Sequence, residues 1–156
     1  MKEKSCLGCQ LAKGEVISPG GEIWRDTYWH LAHDVNNFIP GFLVLGTIPH
    51  VIHLYEIPVD EYLWGLTVVH QVRGILADMF GLRDFLLYQN DLTSGHFHIW
   101  LMPIYPEMNQ FSRSMDGMVQ FLQWTKRVWK TDEKVQEIDR ISEALRQEMK
   151  LISIDS

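Results

Sequence analysis

The stretch Gly95-His96-Phe97-His98-Ile99-Trp100-Leu101-Met102-Pro103 decides how this chain is read. From 96 to 102 the residues alternate in character, which is the period of a strand with two unlike faces. His96, His98, Trp100 and Met102 share one face; Phe97, Ile99 and Leu101 share the other, which is uniformly apolar and should meet the core. Neighbouring imidazoles on one strand face stand roughly 6.5–7 Å apart. That spacing suits phosphate chemistry or a metal ion. Two surface histidines on an amphipathic strand are the plain alternative, and the surrounding sequence has to decide.

Working outward, Phe85-Leu86-Leu87-Tyr88 reads as a second strand. Pro58 followed by Val59-Asp60-Glu61 opens a helix, with the acids where the helix dipole favours them. Leu63, Leu66, Val69, Val72, Leu76 and Met79 keep helical spacing until Gly81 stops it. Pro40-Gly41 makes a turn before a buried strand over Phe42–Ile48. Ser18-Pro19-Gly20-Gly21 makes another turn before a strand from Glu22 to Ala32, where Trp24, Tyr28 and Trp29 serve as core or dimer-face aromatics.

Beyond Ser112 the chain turns helical, with Met115, Met118, Phe121, Leu122 and Trp124 as its apolar stripe. Past Asp132 the pattern becomes charged, as expected of a solvated face on an appended helix packed loosely or against a partner subunit. The sum is an α+β domain: an antiparallel sheet, one central helix and a helical tail. Residues 1–110 form the functional part and residues 111–156 a C-terminal helical extension of the same domain.

At 156 residues one domain is expected, long enough to bury a core without staples. A net charge of −6 argues against a module dedicated to DNA or RNA, yet leaves room for a small phosphorylated ligand held by backbone amides or a few side chains. No signal-peptide core or membrane-spanning run is present, so a cytoplasmic location without membrane attachment is expected. The cysteine pair Cys6-Leu7-Gly8-Cys9 offers a metal half-site, a redox pair or two inert thiols.

Taken together, these motifs resemble those of the histidine-triad proteins. That family carries His-φ-His-φ-His-φ-φ (φ apolar) on a late strand closed by proline. His96 to Pro103 is similar at every position except the third histidine, which is Trp100. The family's upstream Asp…Pro-Gly-His…His element is similar to Asp34…Pro40-Gly41-Phe42…His50, with Phe42 in place of a histidine. The zinc-containing branches open with Cys-x-x-Cys, as Cys6 and Cys9 do. The resemblance runs from about residue 5 to 104 and leaves the tail without a counterpart.

It implies that His98 is a nucleophile that attacks the α-phosphorus of a nucleotide and forms a nucleotidyl-histidine intermediate. Cys6, Cys9, His50 and His96 would hold a structural Zn²⁺, orienting the strand that bears His98. Asp34 would hold ribose hydroxyls, Asn90 would contact the phosphates with Ser94 and Gly95 offering an O–H and an N–H at the same place, and Trp100 would belong to the substrate-binding set. No role falls to His30, His33, His53 or His70, which read as structural or surface residues. A homodimer joined through its sheets is also implied.

Two departures matter. Indole at 100 donates one N–H but cannot accept or transfer a proton as imidazole does. The loop between Asn90 and His96 is short, Asp91-Leu92-Thr93-Ser94-Gly95, and lacks the family's glutamine. The expected activity is therefore hydrolysis of, or nucleotidyl transfer from, a phosphoramidate, dinucleoside polyphosphate or similar nucleotide conjugate. A catalytically weak nucleotide-binding protein and a zinc-stabilised interaction scaffold stay open as alternatives.

Overall fold

The structure is a computed structural model and describes residues 6–92 and 95–152. Five antiparallel strands, β1 (Glu22–Arg25), β2 (Trp29–His33), β3 (Leu43–Thr47), β4 (Phe85–Tyr88) and β5 (His98–Pro103), form one sheet in the order β1-β2-β3-β5-β4. Short α1 (Leu7–Ala12) precedes the sheet, α2 (Val59–Phe80) joins β3 to β4, and α3 (Met115–Val128) and α4 (Asp132–Ile152) close the chain. This is the α+β architecture that the histidine strand and the central helix predict. Among the described residues no helix is long and apolar enough to cross a membrane.

The two faces of β5 separate as its alternation requires. Phe97, Ile99 and Leu101 join Trp29, Leu31, Leu43 and Leu45 in a core under α2. On the opposite face His98 and Trp100 look into a cleft. Met102, on that same face, is completely buried against Phe42, Met118, Phe121 and Trp129. The site face is thus open only in its middle, because α3 seals the end beyond Trp100 with a second apolar cluster.

Four sequence expectations are corrected. Residues 22–32 are a hairpin, not one strand, because Asp26 builds the turn with its side chain. Its Oδ1 accepts from the backbone N–H of Tyr28 (2.8 Å) and Trp29 (2.6 Å), a turn that needs no Gly or Pro signal. The strand that carries the histidines begins at His98, since His96 and Phe97 are drawn toward α1 and the 51-region, with Phe97 N–H donating to the Val51 carbonyl at 2.6 Å. In α2 the buried row is Gly65, Val68, Val69, Val72 and Leu76, which leaves Leu63, Leu66 and Met79 exposed; that helix is apolar on more than one face, so periodicity alone misplaces its stripe. The tail is two helices and neither is loose: Ile138, Ile141, Leu145 and Met149 of α4 are all buried, three of them in the core beneath α2. The boundaries of α2 itself follow the signals, with Asp60 and Glu61 in the first turn and Gly81 in the left-handed conformation at its end.

Candidate functional site

Cys6 and Cys9 flank the first turn of α1, His50 follows β3, and His96 precedes β5. The fold brings all four together, with one ligand atom from each lying within 4.8 Å of the rest. His96 Nδ1 is 3.4 Å from Cys6 Sγ and 3.6 Å from Cys9 Sγ; His50 Nδ1 is 3.3 Å from Cys9 Sγ. A tetrahedral Zn²⁺ with bonds of roughly 2.0–2.3 Å separates its ligands by about 3.3–3.8 Å, so this donor set fits zinc in both chemistry and spacing. His96 is oriented from behind, its Nε2 donating to the Thr47 carbonyl at 2.7 Å. That bond places the ring proton on Nε2 and the lone pair on Nδ1, toward the sulfurs. Burial lowers the His96 pKa, which favours the neutral, metal-binding form.

Gly8 completes this arrangement and was not singled out by the sequence. A Cβ there would sit 2.4 Å from His96 Cγ. Only glycine lets α1 approach the His96 ring closely enough for both thiols to reach it.

Beside the four ligands lies a cleft of about 240 Å³. Leu7 and Leu11 of α1 form one wall, and His30, Ala32, Val44, Gly46, His98 and Trp100 of the sheet form its floor. Asp34 stands at its rim, where its Oδ1 accepts from Asn36 N–H (2.9 Å) and Asn37 Nδ2 (2.6 Å). His98 Nδ1 donates to the His96 carbonyl at 2.9 Å. A carbonyl can only accept, so the neutral ring carries its proton on Nδ1 and its lone pair on Nε2. Trp100 lies edge-on to Phe42, with ring centroids 5.3 Å apart, and also contacts Tyr88.

Of the sequence-selected residues, His98, Asp34, Trp100 and His96 therefore share one cleft. Asn90 and Gly95 are not among the residues that line it; Asn90 Oδ1 accepts from Leu92 N–H at 2.8 Å, and Gly95 takes a positive φ of 60°. Ser94 lies outside the described residues.

Two histidines without a sequence-derived role are also at the cleft. His33 is buried, with Nε2 2.7 Å from the Ile39 carbonyl and Nδ1 2.8 Å from the Asp34 carbonyl, so it shapes the loop carrying Asp34. Burial lowers its pKa against the opposing pull of those two carbonyls. His30 is buried in the cleft floor, and desolvation drives its pKa down to about 4. Its signal was only an imidazole on the polar face of a strand, a pattern that registers as functional once the pairing is known.

No family model and no curated relative matches the sequence. Solved structures do match in shape. A zinc-bound histidine triad family protein from Mycobacterium smegmatis superposes with a TM-score of 0.67 at 15% identity, covering 96% of this chain and 99% of that one. A hypothetical histidine triad nucleotide-binding protein from Sulfolobus tokodaii gives 0.66 at 16% identity over 93% and 94% of the two chains. A HIT family hydrolase from Legionella pneumophila gives 0.50 at 19% identity, covering 65% of this chain and 98% of its own. The chain has the histidine-triad fold. On that fold it carries a Cys2His2 set suited to zinc beside a cleft that holds His98.

Proposed function

We propose that this chain is a hydrolase or nucleotidyl transferase of the histidine-triad type, acting at the α-phosphate of a phosphoramidate, dinucleoside polyphosphate or similar nucleotide. The observation that supports this best is His98: its Nδ1–H is fixed on a backbone carbonyl at 2.9 Å, in a cleft also lined by Asp34. Nε2 then attacks phosphorus and forms a P–N bond as the bond to the leaving group breaks. The leaving group departs with that electron pair and takes up a proton. Water, or a second acceptor hydroxyl, next cleaves the P–N bond, gives its proton to solvent and returns neutral His98.

Asp34 receives the ribose diol, its carboxylate already held by Asn36 and Asn37. Leu7 and Leu11 offer the base an apolar wall. Trp100 closes the cleft. When bound, zinc supplies a cross-link, since four protein ligands leave no open coordination position for chemistry.

The test is an intact-mass spectrum of protein quenched during turnover of a nucleoside phosphoramidate. One nucleotidyl group on His98, absent in His98→Ala, supports the proposal. Turnover that survives His98→Ala refutes it. The indole at 100 favours a second reading, nucleotide binding with negligible turnover, which predicts calorimetric binding without product.

We assign the chain to a cytoplasmic homodimer. The exposed Leu63 and Leu66 on α2, with the outer edge of strand β4 and its exposed Leu87, would form the joint. Leu63→Glu with Leu87→Lys should give a monomer on sedimentation; an unchanged dimer would place the joint elsewhere. Thiols serving as ligands suit a reducing compartment.

A further inference from the structure

One row of the sheet crosses three strands. His30 of β2 pairs with Gly46 of β3, and Gly46 pairs with His98 of β5. Directly opposed residues in antiparallel strands project to the same face, and all three line the cleft. Two imidazoles thus stand on one face with a glycine between them.

His30 uses the space that the glycine leaves. A Cβ built on Gly46 would lie 2.9 Å from His30 Nε2, nearer than any other atom, with Cε1 next at 3.5 Å. The ring therefore leans across β3 toward β5 with Nε2 leading. Strands two apart are separated by roughly 9.5 Å, a gap that a tetrahedral phosphate fills when an imidazole reaches in from each side.

His30 is only 4% exposed, and among the described residues neither ring nitrogen has a hydrogen-bond partner. Its nitrogens are not among the fully buried side-chain atoms left without a partner, so the exposure they keep is toward the cleft that His30 lines. His33, on the same strand, shows the ordinary solution, its one N–H donating to a backbone carbonyl, that of Ile39 at 2.7 Å or that of Asp34 at 2.8 Å according to the tautomer. His30 has no such arrangement, and its nitrogens lie at the wall of a cleft.

The geometry points to His30 as a second ligand-contacting imidazole, donating a hydrogen bond to an oxygen of the phosphate whose phosphorus faces His98. It stands in, from β2, for the imidazole that Trp100 replaces on β5. A neutral imidazole has one N–H to give, and a phosphate oxygen is an acceptor. The inference rests on the nucleotide reading above and adds to it the group that holds the phosphate.

The test compares the zinc-loaded protein with His30→Leu, His30→Gln and Gly46→Ala, titrated calorimetrically with AMP, GMP, CMP and UMP and with the four parent nucleosides. Melting curves first establish that each variant is folded. His30→Leu should weaken nucleotide binding between about ten- and a hundredfold, the loss of a hydrogen bond to a charged group, and leave nucleoside binding unchanged. Glutamine, which keeps an N–H donor, should restore part of that loss. Gly46→Ala retains every polar side chain but pushes the His30 ring aside, so it should reproduce the phosphate-selective loss.

Nucleotide affinity unchanged in His30→Leu, or an equal loss for nucleotide and nucleoside, overturns the assignment. A wild-type protein that prefers no nucleotide over its nucleoside overturns the nucleotide reading along with it. The two failures are distinct, because the second is seen before any variant is made.

Discussion

Replacing Gly8 by alanine adds one methyl group, and the structure says where the methyl must go. It would lie 2.4 Å from His96 Cγ, 2.7 Å from Cδ2 and 2.8 Å from Cβ. Carbon atoms settle at roughly 3.5–4.0 Å, so either the ring or α1 gives way by about 1 Å. The ring is buried and fastened through Nε2 to the Thr47 carbonyl at 2.7 Å. If α1 moves instead, it takes Cys6 and Cys9 with it. Either way the thiols and Nδ1 separate by several times the ~0.2 Å that a metal–ligand bond tolerates.

Loss of a group that merely orients a ligand costs 10–100-fold in metal affinity. Displacing the ligands themselves should reach the upper end, about 100-fold or ~2.7 kcal/mol. Competition against a chromophoric zinc chelator measures it directly. Cys9→Ser serves as the reference for a lost ligand. Gly74→Ala, whose Cβ meets nothing within 4 Å, serves as the control for an added methyl. If Gly8→Ala holds zinc within twofold of the wild type, the close approach of α1 to His96 is not what assembles the site.

Chelation of zinc should lower the thermal midpoint, because an ion bound only by the folded chain stabilises it by ~4 kcal/mol at a thousandfold excess over its dissociation constant; calorimetry with and without chelator reads this. Leu145→Ala removes a fully buried side chain from the core under α2 and should cost about 2–5 kcal/mol in urea unfolding, whereas a loosely appended tail would lose almost nothing. The pH dependence follows from His30, which takes up a proton near pH 4 when folded and near 6.5 when unfolded. The unfolded chain therefore binds the extra proton as pH falls through this window. Stability drops there by up to ~1.4 kcal/mol per pH unit from this one group and is flat above it. His30→Leu should show a shallower slope between pH 6 and 4.5 than the wild type, and equal slopes would mean that the ring is not held neutral by burial.

What the sequence makes legible is whatever its local chemistry settles. The alternation from 96 to 102 settles both faces of β5, and the acids at 60 and 61 with Gly81 settle the ends of α2. Cys6 and Cys9 alone leave a metal half-site, a redox pair or inert thiols open, and it is the resemblance to the zinc-containing histidine-triad branch that joins them to His50 and His96. What stays hidden depends on pairing across the chain. Gly8 looks like any helix glycine until His96 arrives from 88 residues away, and His30 looks like a satisfied core residue until Gly46 is set beside it. The Asp26 turn is missed for a smaller reason: a carboxylate takes the place of the Gly or Pro that marks most turns.

The register also changes how Trp100 is understood. The resemblance expects histidine at both 42 and 100, and here the two positions hold Phe42 and Trp100, packed edge to face with centroids 5.3 Å apart. An imidazole left at either position would face an aromatic ring where it needs a hydrogen-bond partner, at the cost of an unsatisfied polar group. Phe42 and Trp100 together make this corner of the sheet apolar and continuous with the cluster sealed by α3. On the other side of His98 an imidazole stands at position 30, over a glycine that leaves it room. If Trp100 alone were reverted to histidine, the new ring would meet Phe42 and Tyr88, so the reversion should lower stability without raising turnover. A gain in turnover from Trp100→His alone would show that position 100 still faces the reacting phosphate and that His30 does not carry its role.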